Sequence, residues 1–144
     1  ITCAPQLAAE IALATSAGVS PASVEQVISW ADGIADVSHA KVGGKWALKE
    51  GGAALPAVAP TAAVEADAIV SHMKAWATGS NGKWVSMGVP AAGDYGLGEG
   101  LFFSVPVVCE AGSYSRIGGV SMTPEVASAL EASRTALASE AASL

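Results

Sequence analysis

Between Asn81 and Val120 three apolar, β-branched runs follow one another with no helical stretch between them. Asn81-Gly82 is a strong turn signal ahead of Lys83 to Val89, a loop spans Pro90 to Gly100, and Leu101 to Val108 is the most β-like run in the chain. Ala111-Gly112-Ser113 then turns into Tyr114 to Val120. Parallel strands need long, usually helical crossovers, so three strands joined in this way predict an antiparallel sheet. Helical patterns flank it. Leu7, Ile11 and Ala14 recur at helical spacing before Gly18, a C-cap residue, and Val24 to Trp30 reads as turning into a buried strand. Pro60 suits the first turn of a second helix whose Ala62, Ala66, Ile69, Val70, Met73 and Trp76 form one apolar stripe, expected to pack along the core. Thr123 as N-cap, Pro124 at the first position and Glu125 in the first turn open a last helix, with Val126, Leu130, Leu137 and Ala141 facing the sheet. Residues 31–60, punctuated by Gly43-Gly44, Gly51-Gly52, Pro56 and Pro60, are expected to be irregular, with at most a short helix near Lys45 to Lys49. With no repeating βαβ unit, the fold class is α+β: one domain over residues 1–144, an antiparallel sheet packed with helices, and no Rossmann domain.

Composition narrows the partners. The net charge is −6 and Lys and Arg form no cluster, which argues against nucleic acid, whose binding rests on neutralising phosphates. Every apolar run is shorter than a bilayer span and broken by Glu, Asp, Gly or Pro, so no membrane is expected. Cys3 and Cys109 stand far apart without metal-ligand spacing; no metal is expected, both read as small apolar residues, and a reducing, intracellular compartment fits. No targeting segment names that compartment more closely. The chain opens on Ile1, as a processed chain or a piece of a longer one would.

Candidates for chemistry are few. Gly96-Leu97-Gly98-Glu99-Gly100 has the glycines of a phosphate loop, but a strand follows it instead of a helix, and Glu99 would repel an anion. His39 and His72 are the only histidines. His72 is expected on the exposed side of the second helix; His39 follows Asp36 at three residues, a spacing that in a surface loop is usually inert. Spacing alone names no reaction.

Two stretches carry a resemblance. Asn81 to Val89, continuing through Tyr95-Gly96 and Glu99 to Val107, resembles the C-terminal substrate domain of the cytosolic-type malate dehydrogenases, within the lactate/malate dehydrogenase family. Gln6 to Val19, then Val24, Val27, Ile28, Trp30 and Asp36-Val37-Ser38-His39-Ala40-Lys41-Val42, follow that family's order, as do Ile69, His72 and Trp76. In such enzymes a preceding Rossmann domain binds NAD. The resemblance implies a His that takes the hydroxyl proton, an Asp that orients it and an Arg that clamps the substrate carboxylate. Here the matching positions hold Cys3 for the Asp, Gln6 for the Arg and Gly33 for the His, while His39 matches a different family histidine.

The resemblance therefore implies a catalytically inactive domain serving as a structural or interaction subunit, with no cofactor of its own. A protein partner or a second copy is expected on the face that a nucleotide domain would cover. The alternative is the substrate half of an NAD-dependent malate dehydrogenase, with Asp32, Asp36 or His39 as substitute base. A third reading is a regulator that keeps the cleft without turnover, with Lys41, Lys45 and Lys49 as the nearest cations to a dicarboxylate.

Overall fold

The computed structural model describes residues 2–47 and 59–143. Its elements in chain order are α1 (Ala4–Ala17), β1 (Val24–Glu25), β2 (Ile28–Trp30), β3 (Ile34–Asp36), β4 (Lys41–Val42), β5 (Lys45–Trp46), α2 (Ala62–Thr78), β6 (Val85–Pro90), β7 (Phe102–Glu110), β8 (Ser113–Arg116) and α3 (Pro124–Ala142). The expected sheet is there: β6, β7 and β8 pair antiparallel in that order, Val85 opposite Val107 and Cys109 opposite Tyr114. Its last strand ends at Arg116, short of Val120. The β2–β3 hairpin extends the sheet through Ala31, which exchanges backbone hydrogen bonds with Ser104 at 3.1 and 3.2 Å.

The main core lies between this sheet, the hairpin and α3. Ile28, Trp30, Phe103 and Val107 are sealed from solvent, and Val126 and Leu130 of α3 close over them. Trp30 can sit there because its indole N–H donates to Asp36 Oδ2 at 3.0 Å, so no buried donor is left unpaired. A second cluster joins Ala9, Leu13 and Ala14 of α1 to Val24, Val27, Val37 and Ala40. The caps work as their residue types dictate: Thr61 and Thr123 accept from the N–H groups of Val64 and Val126, both at 3.3 Å, and Gly18 takes a left-handed φ of 66°.

Several expectations are corrected. Residues 31–47 are not irregular: β3, β4 and β5 lie there, and Lys45-Trp46 is a strand paired with β4 instead of a helix, because Gly43 and Gly44 take the positive φ values of a two-residue hairpin. The stretch 48–58, with Lys49, Gly51-Gly52 and Pro56, lies outside the described residues. Pro60 precedes the α2 cap. Only the C-terminal end of the α2 stripe reaches the core: Trp76 packs against it, whereas Ile69, Val70 and Met73 are exposed, and the buried residue of the helix is Ala68 on another face. Periodicity finds a stripe but cannot say which face meets the rest of the chain. Small side chains, Ala68 and Ala75, face α1 in its place.

Candidate functional site

One face of α1 carries Cys3, Gln6, Leu7 and Glu10, spaced by three, four and seven residues, so their side chains line up on one side of the helix. Against it stands the α2 face with Ala68, Ser71, His72 and Ala75, and the turn 80–85 closes the end with Ser80, Lys83, Trp84 and Val85. Together they line an open cavity of about 250 Å³.

Gln6 is buried and fully engaged. Its Oε1 accepts the Ser86 backbone N–H at 2.8 Å, while Nε2 donates to Glu10 Oε1 at 3.0 Å and more weakly toward the Trp84 carbonyl at 3.4 Å. The amide thus ties α1 to the start of β6. Burial pushes the Glu10 carboxyl up to about 7, partly offset by the Gln6 hydrogen bond and by the Lys83 charge. Lys83 stays at the mouth, 3.6 Å from Glu25 and donating to the Ala22 carbonyl at 3.3 Å. Burial also lowers the His72 pKa and raises that of the Cys3 thiol. His72 is half-buried, not on an exposed side as its sequence position suggested, and its Nδ1 is buried without a hydrogen-bond partner among the described residues.

Gly33 stands apart. It closes the β2–β3 hairpin, its N–H donating to the Trp30 carbonyl at 2.9 Å, and its φ of +132° lies where side-chain-bearing residues are strained. A Cβ there would meet Pro5 Cγ at 3.1 Å. Of the three singled-out positions, Cys3 and Gln6 share the cavity wall, while Gly33 touches the start of α1 from outside it.

A family model for the lactate/malate dehydrogenase α/β C-terminal domain matches residues 47–143. The chain belongs to that family. The malate dehydrogenase of Naegleria fowleri is similar over 97% of this chain and 50% of its own, with a TM-score of 0.79 and 25% identity. The lactate dehydrogenase of Trichomonas vaginalis, solved with NADH and oxamate, matches 97% of this chain and 51% of its own at 0.75 and 23%. The malate dehydrogenase of Aeropyrum pernix gives 0.68 at 15% identity, over 98% of this chain and 53% of its own. The chain spans about half the length of these solved dehydrogenases.

The remaining candidates of this lactate/malate dehydrogenase domain do not converge. Asp36 does not face His39: it is buried, accepting from Trp30 Nε1 and, at 2.9 Å, from the Ser38 backbone N–H. His39 Nε2 lies 2.7 Å from the Ser121 carbonyl, and Asp32 is exposed in the hairpin loop. Lys41 Nζ sits 4.9 Å from the centroid of the Trp46 ring. The glycine-rich loop is a connection anchored by buried Leu97. Among the described residues no three His, Cys, Asp or Glu side chains group as metal ligands, and no helix is long and apolar enough to cross a membrane. Sequence reasoning passed over Glu10, Lys83 and Trp84 as site residues; the spacing of Glu10 from Cys3 and Gln6 was the available signal.

Proposed function

We propose that this chain is a malate-dehydrogenase-like C-terminal domain of the cytosolic type that has kept the fold without the chemistry, and that it serves as a structural or interaction subunit. The observation that carries this is Gln6. At the position where the resemblance expects an arginine fork for a substrate carboxylate, the side chain is an uncharged amide whose acceptor and donors are taken up by Ser86, Trp84 and Glu10. Two further positions agree. Cys3, at the place of the orienting aspartate, is a thiol kept protonated by burial, and Gly33, at the place of the histidine, sits in a tight hairpin where any side chain would be strained against Pro5. The partner that this reading needs would find apolar surface: Val70 is 67%, Met73 57% and Phe102 69% exposed. No cofactor, nucleic acid or membrane enters the proposal.

The competing reading is the substrate half of an NAD-dependent malate dehydrogenase. It is favoured by the chain covering about half of each solved dehydrogenase. The test is an assay of the whole protein that contains this chain, with NADH and either oxaloacetate or pyruvate. We expect no NADH oxidation above the buffer rate. Saturable, substrate-dependent oxidation would overturn the inactive reading and install the alternative.

A further inference from the structure

We propose that the cavity between α1 and α2 is a binding site for a small primary alkylammonium ion, whose charged head meets Glu10 and whose short apolar tail lies along Leu7, Ala68 and Ala75. The proposal does not depend on whether the domain turns over a substrate.

Size comes first. An engineered protein cavity of about 150 Å³ admits benzene, so the 250 Å³ here has room for an alkylamine of a few carbons. The acceptors decide the charge. The half-buried Glu10 spends Oε1 on Gln6 and leaves Oε2 without a hydrogen-bond partner among the described residues. His72 of the facing helix lines the same pocket, and its Nδ1, shielded from solvent, has no hydrogen-bond partner among the described residues. An ammonium group has three donors and no acceptor, which matches the unpartnered carboxylate oxygen of Glu10. An anion would find only Lys83, already held at the mouth by Glu25 and the Ala22 carbonyl. The protein's net charge of −6 further favours a cation approaching it.

The pH dependence follows from the groups around Glu10. From α1 it shares the cavity with Cys3, from α2 with His72, and from the turn 80–85 with Lys83, behind which stands Glu25 of β1. Burial raises the Glu10 carboxyl to about 7 and lowers His72, so raising the pH frees the carboxylate while the imidazole stays neutral. Binding at pH 6 must displace a proton from Glu10, and the affinity there is expected to be about tenfold weaker than at pH 8.

Calorimetric titration of the whole protein with n-butylammonium chloride tests this, with 1-butanol as the uncharged control of the same length. The expected result is saturable binding of the ammonium at pH 8, about tenfold weaker at pH 6, and weaker still for 1-butanol. Glu10→Gln should abolish the preference for the ammonium. A second measurement needs no variant: the carboxyl carbon resonance of Glu10, followed against pH, should shift its midpoint downward when n-butylammonium is added. Equal binding of the alcohol, absence of saturation at millimolar concentrations, or an unmoved Glu10 midpoint would each overturn the proposal.

Discussion

The sheet core and the α1–α2 seam are built on opposite plans. Around Trp30, Phe103 and Val107 the large side chains are apolar or, like the Trp30 indole, paired; the polar groups buried there are small hydroxyls and the Asp36 carboxylate, which accepts two hydrogen bonds, and the strands hold one another in register. Across the seam Ala68 and Ala75 of α2 line a space that is also bounded by Gln6, Glu10 and His72. A filled apolar core stabilises through area and packing, whereas a partly polar seam carries desolvated groups that are tolerated only while their partners stay in place. The first region specifies the fold; the second is where the molecule has room to bind something.

Truncation should separate the two most sharply. Phe103→Ala removes a side chain 1% exposed near the start of β7 and is expected to cost about 4 kcal/mol, read from urea denaturation. Leu7→Ala, on the half-buried cavity wall, should cost about 1 kcal/mol, because space already lies beside it. Equal losses would mean that the seam is as tightly packed as the sheet.

Glu10 should set the largest pH effect of the seam. Its carboxyl is raised in the folded state to about 7, from an ordinary value of 4.5, so the folded protein holds the proton more tightly than the unfolded chain. The stability this gives is fully present below pH 4.5 and is lost as the pH rises through 7. Glu10→Gln, which has no charge to bury, should match the parent protein near pH 4 and exceed it at pH 8 by at most about 3 kcal/mol. His72, lowered by burial, works in the other direction, destabilising the fold as the pH falls below 6.5, in the parent and in the variant alike. A difference between Glu10→Gln and its parent that stays constant from pH 4 to 8 would contradict the burial of the carboxylate.

Gln6→Ala comes next, at about 2 kcal/mol, since it strands the buried Ser86 backbone N–H and removes the donor to Glu10. Its Glu10 should also titrate higher than in the parent, because the hydrogen bond that favours the charged form is gone. A loss within 0.3 kcal/mol would show water replacing the amide at about full value.

The same contrast explains what could be read from the sequence. The antiparallel sheet, the caps at Gly18 and Thr123 and the burial of Trp30 follow from short-range rules: β-branched runs, turn residues and cap chemistry that each act within a few positions. The hairpins at 34–36 and 41–46 escaped because strands of two or three residues have no period to detect. The cavity escaped for a different reason: it is made by what Ala68 and Ala75 lack, and by the meeting of Glu10 with His72 from helices more than fifty residues apart. Cys3, Gln6 and Gly33 were singled out only through the family resemblance; helical spacing flags the Gln6–Glu10 pair, but no spacing rule finds the bonds from Gln6 to Ser86 and Trp84, some eighty residues away.

The outer face of α2 gives the smallest effect on folding and the clearest on association. Ile69, Val70 and Met73 repeat at helical spacing on a surface that no other described part of the chain covers, an arrangement that leaves apolar area in water unless something docks on it. Met73→Lys touches nothing buried, so denaturation should move by less than about 0.5 kcal/mol. Light scattering should respond differently: if copies of the protein meet through this face, the parent has a mass above that of one chain, and the variant falls toward it because a lysine would have to be desolvated at the contact. A parent protein monodisperse at the mass of a single chain would remove self-association through α2, and the interaction reading would then have to rest on a different protein seated on the same three residues.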